Sequence, residues 1–520
     1  MSFKAKSYSY KTELETLDYL DQPVGSGKTQ AIIKSITDRP RCSHLYVTPT
    51  VILAKEIEER MHHDFRDGYL LNSIERVDSS TVEKDETVLE NVLASIINAK
   101  EQGINKILIV TTATFFNMIQ HGLIMSNLRN YHVILDEGID PSETLTAYYS
   151  SPIAHLVNEL VIQDGDVIKP AESKEAVKAL KAIASRDEDF HSKYAKYASL
   201  RSDPDFRTIA DRLINGLFDT YGSVTNEVEE EGKGTIRCLA LLKPDAIGGF
   251  KSVTMIVASF LDTLLANYWQ QTHGITMKGF DEKYIDGLFD THAVKGNLVD
   301  IYHVLSAGDN ASMTNLKRTI NSVPVAEIAL NTVSQFFDEE VFLFTLNTRF
   351  NLSTEKGQKI SPVCAGLDIY RQYNNVAVLS ASNPEPWVAG VMNKLLPECD
   401  TGAMYRMLAN AQAYQIVGRT SLRVRDKPSR IKMVVLSSDI AQYLHEKFEG
   451  STMHGQIGEL KSFNTETMKA RTEQALVRNN GIVYTTADNS AWSRFKQKCA
   501  KQDIEHPLKE DWYKKFRATH

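Results

Sequence analysis

The sequence predicts an α/β fold in which parallel sheets are covered by helices. Short, mostly apolar segments at 17–20, 45–47, 107–110 and 133–135 are typical of buried strands, and helix-like patterns follow the first two. Glycine or hydroxyl residues mark the turns after these strands. At 520 residues the chain exceeds a single hydrophobic core, so we expect two or three domains.

The first strand leads into a glycine-rich turn, and Ala31, Ile32, Ile33 and Ile36 form the apolar stripe of the next helix. This order of strand, loop and helix is typical of a phosphate-binding loop. The glycines let backbone N–H groups converge on an anion, Lys28 supplies charge for the outer phosphates, and the Thr29 hydroxyl suits Mg²⁺. An ordinary glycine-rich turn is the alternative, and Gln22 stands where the strict motif has a glycine.

Hydroxyl side chains follow two further strands, Thr48 and Thr50 after 45–47 and Thr111 and Thr112 after 107–110. Such groups at strand ends suit hydrogen bonds to the phosphates of a nucleic acid. Helix N-caps use the same residues for structural reasons, so capping is the competing explanation.

The strand at 133–135 delivers two adjacent carboxylates, Asp136 and Glu137, to its carboxyl end. Open α/β sheets bind their ligands at this edge, and paired carboxylates are costly there unless a cation or water needs them. Asp136 is suited to hold Mg²⁺ through water, and Glu137 to orient and deprotonate an attacking water. A solvated acidic pair is the alternative.

Taken together, GSGKT (25–29), TPT (48–50), TTATF (111–115) and LDEG (135–138) resemble motifs I, Ia, Ib and II of superfamily 2 helicases, in their usual order. The resemblance continues downstream, with 251–260 similar to motif III, 340–350 to motif IV, 361–386 to motif V and 413–425 to motif VI. It implies two tandem RecA-like domains with ATP and Mg²⁺ between them.

The resemblance also implies roles for individual residues. Those for ATP are Gly25, Ser26, Gly27, Lys28, Thr29, Asp136, Gly366 and Asp368, with Thr29 and Asp136 at the metal. Those for catalysis are Glu137, Gln415, Arg419 and Arg423, with Arg425 left open as the alternative second arginine. Residues 415, 419 and 423 are spaced to share one face of a predicted helix. The nucleic-acid contacts are Thr48, Thr50, Thr111, Thr112, Asn347 and Ser382.

This layout predicts a first RecA-like domain over residues 1–262, with a mostly helical insertion at about 143–242. A second RecA-like domain follows over 263–450, and a C-terminal extension over 451–520 mixes basic and aromatic residues. Such a mixture occurs on surfaces that bind single strands, although a basic helix packed on the body fits it too. The acidic run at 226–234 is expected to be a solvated loop.

Composition narrows the functional class. The five cysteines show no CxxC pair, which argues for reduced thiols and against zinc. With no apolar run of membrane-spanning length and no signal peptide, we expect a soluble intracellular protein without a membrane partner, in the cytoplasm of a bacterial host if it is phage-encoded. A net charge of −7 confines nucleic-acid binding to a local groove.

We therefore expect a nucleic-acid-dependent ATPase that moves on or unwinds DNA in preference to RNA. Residues 366–369 and the motif VI pattern resemble those of DNA helicases from phages and large DNA viruses, including the origin-binding type, so replication or recombination proteins are expected partners. The alternatives are an annealing or duplex translocase, an RNA helicase, and an initiator that uses ATP only to switch conformation.

Overall fold

The computed structural model describes residues 14–65, 73–83, 86–120, 128–137, 139, 142–185, 192–229, 233–361, 369–399, 406–426, 429–463, 492 and 495. Two parallel sheets covered by helices follow one another along the chain, and an antiparallel sheet is inserted into the first. The tandem RecA-like architecture is thereby confirmed. Gly366 and Asp368 lie outside the described residues.

The strands, in chain order, are β1 (Thr16–Leu20), β2 (Ser43–Thr48), β3 (Ile74–Arg76), β4 (Ile107–Thr111), β5 (Tyr131–Asp136), β6 (Ser142–Ser150), β7 (Val161–Asp164), β8 (Val167–Pro170), β9 (Phe218–Glu229), β10 (Lys233–Leu242), β11 (Ser252–Ile256), β12 (Thr276–Gly279), β13 (Val299–His303), β14 (Thr319–Ile320), β15 (Val323–Pro324), β16 (Phe342–Thr345), β17 (Gly357–Ile360), β18 (Asn375–Val378), β19 (Ile431–Val435) and β20 (Thr452–Gln456).

The α-helices are α1 (Lys28–Thr37), α2 (Val51–Asp64), α3 (Val88–Gln102), α4 (Thr112–Gln120), α5 (Ala154–Leu160), α6 (Lys174–Ala184), α7 (Ala198–Ser202), α8 (Pro204–Ile214), α9 (Leu264–His273), α10 (Glu282–Ile285), α11 (Thr291–Lys295), α12 (Met313–Lys317), α13 (Val325–Phe337), α14 (Pro386–Leu395), α15 (Ala411–Val417) and α16 (Ser438–Lys447). Among the described residues, no helix combines the length and the apolar character needed to cross a membrane.

The first sheet has seven parallel strands in the order β12-β1-β11-β5-β2-β4-β3. Its central strands are apolar on both faces, because helices cover both: Leu45 and Val47 face one apolar layer, and Tyr46 faces the other. Since all the strands run the same way, the carboxyl ends of β1, β5 and β11 meet at one edge. The phosphate-binding loop and Asp136 therefore lie side by side.

The second sheet has six parallel strands in the order β17-β16-β18-β19-β13-β20. The domain boundaries expected at residues 262 and 450 both need correction. The first domain continues beyond residue 262, because β12 pairs with β1 and Trp269 of α9 is fully buried in the first core. The second domain continues beyond residue 450, because β20 pairs with β13.

The insertion contains an antiparallel sheet in addition to the expected helices. Its five-stranded sheet has the order β6-β10-β9-β8-β7, every described pair is antiparallel, and helices α5 to α8 pack against it. Strand β10 alternates buried and exposed side chains, with Ile236 and Cys238 buried and Arg237 exposed. The stronger helical pattern at 173–186 dominated the interpretation of this part of the sequence. The acidic run at 226–234 is not simply a loop, since β9 extends to Glu229 and β10 begins at Lys233.

Helix α14 of the second domain packs against the first domain. Val388, Val391 and Met392 belong to the same buried apolar cluster as Leu264 and Trp269 of α9. The two domains are thus joined by apolar contact on this side, in addition to the polar contacts at the nucleotide cleft described below.

Candidate nucleotide-binding site

The loop between β1 and α1 has the backbone of an anion cradle. Gly25 and Gly27 have positive φ angles of 75° and 100°, which glycine adopts without strain, and Gly27 is the N-cap of α1. The backbone N–H groups at the start of α1 are available to an anion there. Gln22 does not adopt a positive φ, so the loop needs no glycine at that position.

Lys28 lies at the first position of α1, with its ammonium folded back on the loop. Its Nζ donates to the carbonyl oxygens of Gln22 at 2.6 Å and Pro23 at 2.9 Å. Burial, with a smaller contribution from the nearby Arg423 guanidinium, lowers the pKa of Lys28 to about 8. Since its hydrogen-bond partners among the described residues are neutral carbonyl groups, the ammonium is well placed to accept anionic phosphates.

Asp136 ends β5 and is 5% exposed. Burial, followed by the charge of Glu137, raises the pKa of Asp136 to about 6. The Tyr46 hydroxyl donates to Asp136 Oδ2 at 2.7 Å, and also forms a hydrogen bond with the side chain of Thr29. Tyr46 therefore bridges the two side chains expected to hold Mg²⁺. The sequence analysis assigned Tyr46 only to a strand. The one feature of the sequence that indicates a further role is its polar hydroxyl within an apolar strand.

Glu137 is held in a left-handed conformation, with φ 64°, by its backbone N–H bond of 2.8 Å to Ile256 O of β11. Non-glycine residues in this region are strained by about 1 kcal/mol or more, and they cluster at functional sites. The carboxylate points across the cleft, where Arg419 Nη2 lies 2.7 Å from both Oε1 and Oε2. The first and second domains meet at this ion pair, and the Arg419 side chain is 1% exposed.

The expected helix carrying Gln415, Arg419 and Arg423 on one face is not formed. Helix α15 ends at Val417, because the Thr420 hydroxyl binds Val417 O at 2.8 Å while the Ser421 N–H donates to Tyr373 O at 2.9 Å instead of continuing the helix. A short 3₁₀ turn over Ser421–Arg423 follows.

The turn nevertheless returns Arg423 to the cleft. Its Nε donates to Gly418 O at 2.7 Å, and both Arg423 and Gln415 line the cleft beside the loop. Arg425 lies over the ring of Phe289, with its guanidinium carbon 5.3 Å from the ring centroid, and its Nη2 is 3.7 Å from the position of a Cβ on Gly27. The cleft encloses about 190 Å³ and is lined from both domains. Arg423 lines this cleft directly, and Arg425 lies beside the same loop at Gly27.

Asp21 is a further residue that the sequence analysis missed. Its Oδ1 accepts a hydrogen bond of 2.6 Å from the backbone N–H of Ser259, whose φ of 58° is also left-handed. The end of β1 is thereby tied to the segment after β11, which resembles motif III. The link joins the phosphate-binding loop to a neighbouring strand end.

The threonines expected at the nucleic acid are used within the protein. Thr48 is fully buried and its hydroxyl donates to Thr50 O, so in this conformation that side chain cannot reach a strand. The Thr50 hydroxyl caps α2 by accepting from Leu53 N at 3.2 Å, which is the capping role. Thr111 bonds with Thr114, and Thr112 donates to Thr48 O at 3.1 Å.

On the second domain, Asn347 and Ser382 lie beside each other. The Asn347 side-chain amide exchanges two hydrogen bonds with the backbone of Ala381, of 2.8 and 2.9 Å. Ser382 donates to Gln412 Oε1. Asn347 therefore shapes the loop that presents Ser382. Of the C-terminal aromatic residues, Trp492 and Phe495 are described, and their rings stack with centroids 5.8 Å apart.

Residues 16–158 match the family model of the DEAD/DEAH box helicase. This stretch of the first domain is similar to a DEAD/DEAH box helicase domain, and it contains the phosphate-binding loop and Asp136. The match supports an ATP-hydrolysing enzyme of the helicase class. No curated protein matches the sequence.

Solved helicase structures show a loose likeness to most of the chain. An apo XPD structure is 15% identical, with 85% of this chain and 97% of that chain covered and a TM-score of 0.47. Xpd4 of S. tokodaii is 11% identical, with 85% and 96% covered and a TM-score of 0.43. Dbp5 of S. cerevisiae bound to RNA and ADP BeF3 is 10% identical, with 89% of each chain covered and a TM-score of 0.35. Likeness at this level does not bear on the phage or viral type or on a role in replication.

The helicase domain has groups that fit a nucleotide. Besides the glycines and Lys28, the hydroxyl of Ser26 is fully buried within the loop, with no hydrogen-bond partner among the described residues. A buried hydroxyl without a partner costs free energy that a phosphate oxygen would recover. Thr29 and Asp136 provide the hard oxygen ligands that Mg²⁺ prefers.

We predict that ATP affinity falls as pH rises through about 8, because Lys28 loses its proton there and the phosphates then lose a cation. Above that pKa, the dissociation constant should rise by up to ~10-fold per pH unit while proton loss is the dominant change. Binding of a fluorescent ATP analogue from pH 6.5 to 10 checks this. Affinity that stays constant to pH 10 would contradict the assignment of Lys28.

We predict that Tyr46→Phe weakens binding of Mg²⁺ with ATP by about 10-fold or more, because outer hydrogen bonds orient metal ligands. Titration of Mg²⁺ against fluorescent nucleotide measures this without turnover. Tyr131→Phe, on the same strand as Asp136 but near its start, is the control and should retain wild-type affinity. Equal Mg²⁺ affinity in Tyr46→Phe and wild type would rule out the positioning role.

Proposed function

We propose that this protein is a nucleic-acid-dependent ATPase that couples ATP hydrolysis in the cleft between its domains to movement on, or unwinding of, DNA. The observation that carries the proposal is the contact of Arg419 with Glu137, because one functional group comes from each domain. A site divided in this way works only when the domains are together. Its activity can therefore depend on a strand that both domains grip.

In the proposed reaction, the amides around Gly25 to Thr29 and the Lys28 ammonium bind the phosphates. Thr29 and Asp136 would hold Mg²⁺, which neutralises phosphate charge when bound. Glu137 orients the attacking water and accepts its proton. Arg419 and Arg423 stabilise the charge that spreads over the transferring phosphoryl group, while Gln415 lies beside them in the cleft.

The ion pair has a consequence for the order of events. In this conformation both carboxylate oxygens of Glu137 accept from the Arg419 guanidinium of the second domain. We infer that the outer phosphate of ATP competes for the Arg419 guanidinium. Hydrolysis would then begin when Arg419 turns toward the phosphate and Glu137 is released to the water.

The nucleic acid is proposed to cross the carboxyl edges of both sheets. The N-termini of α2 and α4, capped by Thr50 and preceded by Thr111, offer backbone N–H groups and a favourable dipole to phosphates. Ser382 would continue this path on the second domain. Contacts of this kind read the backbone and carry little sequence information, so DNA is favoured over RNA only by the sequence resemblance.

Parallel ATPase assays with single-stranded DNA, duplex DNA and RNA test the proposal. We expect single-stranded DNA to give the largest stimulation, and Lys28→Ala and Arg419→Ala to abolish it, because one removes the phosphate grip and the other the cation from the second domain. Arginine contacts of this type contribute ~10³–10⁵ in rate. Near-normal stimulation of ATP hydrolysis by nucleic acid in either folded variant would refute the assignment. A strand-displacement assay would distinguish unwinding from translocation.

For Glu137→Gln we predict retained ATP binding with turnover reduced by ~10²-fold or more, because the amide cannot accept the proton of the water. Fluorescent nucleotide binding and steady-state hydrolysis on the same preparation measure the two effects. Glu137→Gln that hydrolyses ATP at the wild-type rate, or that no longer binds ATP, would show that Glu137 is not the base.

A further inference from the structure

The second domain holds the backbone of Val24, the residue before the first glycine of the phosphate-binding loop. The Val24 N–H donates to Tyr414 Oη of α15 at 3.1 Å, and the Thr291 hydroxyl of α11 donates to Val24 O at 2.7 Å. Helix α11 packs on the second domain, where Lys295 Nζ binds Val424 O at 2.7 Å. The backbone N–H and carbonyl groups of Val24 therefore both have hydrogen-bond partners on the other side of the cleft.

The packing of this segment follows the same division. Val24 is 2% exposed and its side chain lies in the apolar core of the second domain, not of the first. A Cβ on Gly418 would lie 2.7 to 2.8 Å from the Val24 side chain, and a Cβ on Gly25 would lie 3.0 to 3.4 Å from Arg423. The two domains approach so closely here that only glycine fits at 418.

A directional chain of hydrogen bonds supports the Tyr414 hydroxyl. His292 Nε2 lies 2.5 Å from Tyr414 Oη, and His292 packs edge-on against the rings of Tyr414 and Phe448. Burial lowers the pKa of His292 to about 4, so the ring is neutral near pH 7. Since Tyr414 Oη already accepts from Val24, its own proton is free to be donated to the neutral Nε2.

We propose that Tyr414, supported by His292, is a positioning residue that sets the shape of the phosphate-binding loop according to whether the second domain is closed. This inference rests on the proposed function and deepens it. If the domains part, Val24 loses two hydrogen bonds and its apolar pocket together. Closure and phosphate affinity are then one equilibrium, so nucleic acid that favours closure raises ATP affinity, and ATP favours closure by the same factor.

The test replaces single atoms of this chain of contacts in the intact protein. Tyr414→Phe removes the hydroxyl, and His292→Leu removes its acceptor. His292→Gln restores an acceptor near the position of Nε2. Tyr302→Phe is the matched control, since Tyr302 is a tyrosine of the second domain whose ring stacks on His454.

Two measurements are made on each variant: the dissociation constant of a fluorescent ATP analogue with and without single-stranded DNA, and KM and kcat for ATP hydrolysis. We expect Tyr414→Phe and His292→Leu to raise KM about 10-fold, with kcat within about threefold of wild type because Glu137, Arg419 and Arg423 are untouched. The increase in ATP affinity that single-stranded DNA causes should become smaller in both of these variants. His292→Gln and Tyr302→Phe should resemble wild type.

The outcomes separate the two proposals. Wild-type stimulation by DNA with an unchanged KM in Tyr414→Phe would refute the positioning role and leave the proposed function standing. A lowered kcat at constant KM would indicate that part of the protein is unfolded, and so would equal effects of His292→Leu and His292→Gln. Either result would also refute the positioning role of Tyr414. If wild type hydrolyses no ATP with any nucleic acid, the proposed function fails, and the ATP dissociation constants without nucleic acid still decide whether Tyr414 shapes the loop.

Discussion

Arg419 and Glu137 face each other across the domain boundary, with one guanidinium nitrogen 2.7 Å from both carboxylate oxygens. Moving two such charges out of water costs several kcal/mol per ion, and good geometry is required to offset that cost. The pair is therefore a poor choice for stability alone. The ion pair is better suited to a switch, because the Arg419 guanidinium can bind either the Glu137 carboxylate or a phosphate placed between the two domains.

The phosphate-binding loop is shaped by this arrangement as well as by its own sequence. Gly25 needs a positive φ, and it must also let Arg423 of the second domain approach. Lys28 rests on the carbonyl groups of Gln22 and Pro23, which depend on backbone position and not on the side chain at 22. A loop that looks local in the sequence is thus completed by residues almost 400 positions away.

The sequence predicted the α/β class, the loop and the acidic strand end because each rests on contiguous residues whose pattern has a local physical cause. It could not predict the end of α15, since Ser421 bonds Tyr373 in preference to its own helix. Tyr46 and Tyr414 resembled ordinary buried aromatics, and their roles come from contacts across strands and domains. The sheet of the insertion was not predicted because the strong apolar stripe of one helix outweighed the weaker strand alternation around it.

Hydrogen exchange of the intact protein tests most directly whether the second domain completes the nucleotide site. Backbone amides of the loop at 22–29 and of the segment at 411–423 would be followed with a non-hydrolysable ATP analogue, with single-stranded DNA, and with both together. The account predicts that the two segments gain protection together, and most strongly when both ligands are present. Protection of the loop by nucleotide with no change at 411–423 under any condition would contradict it.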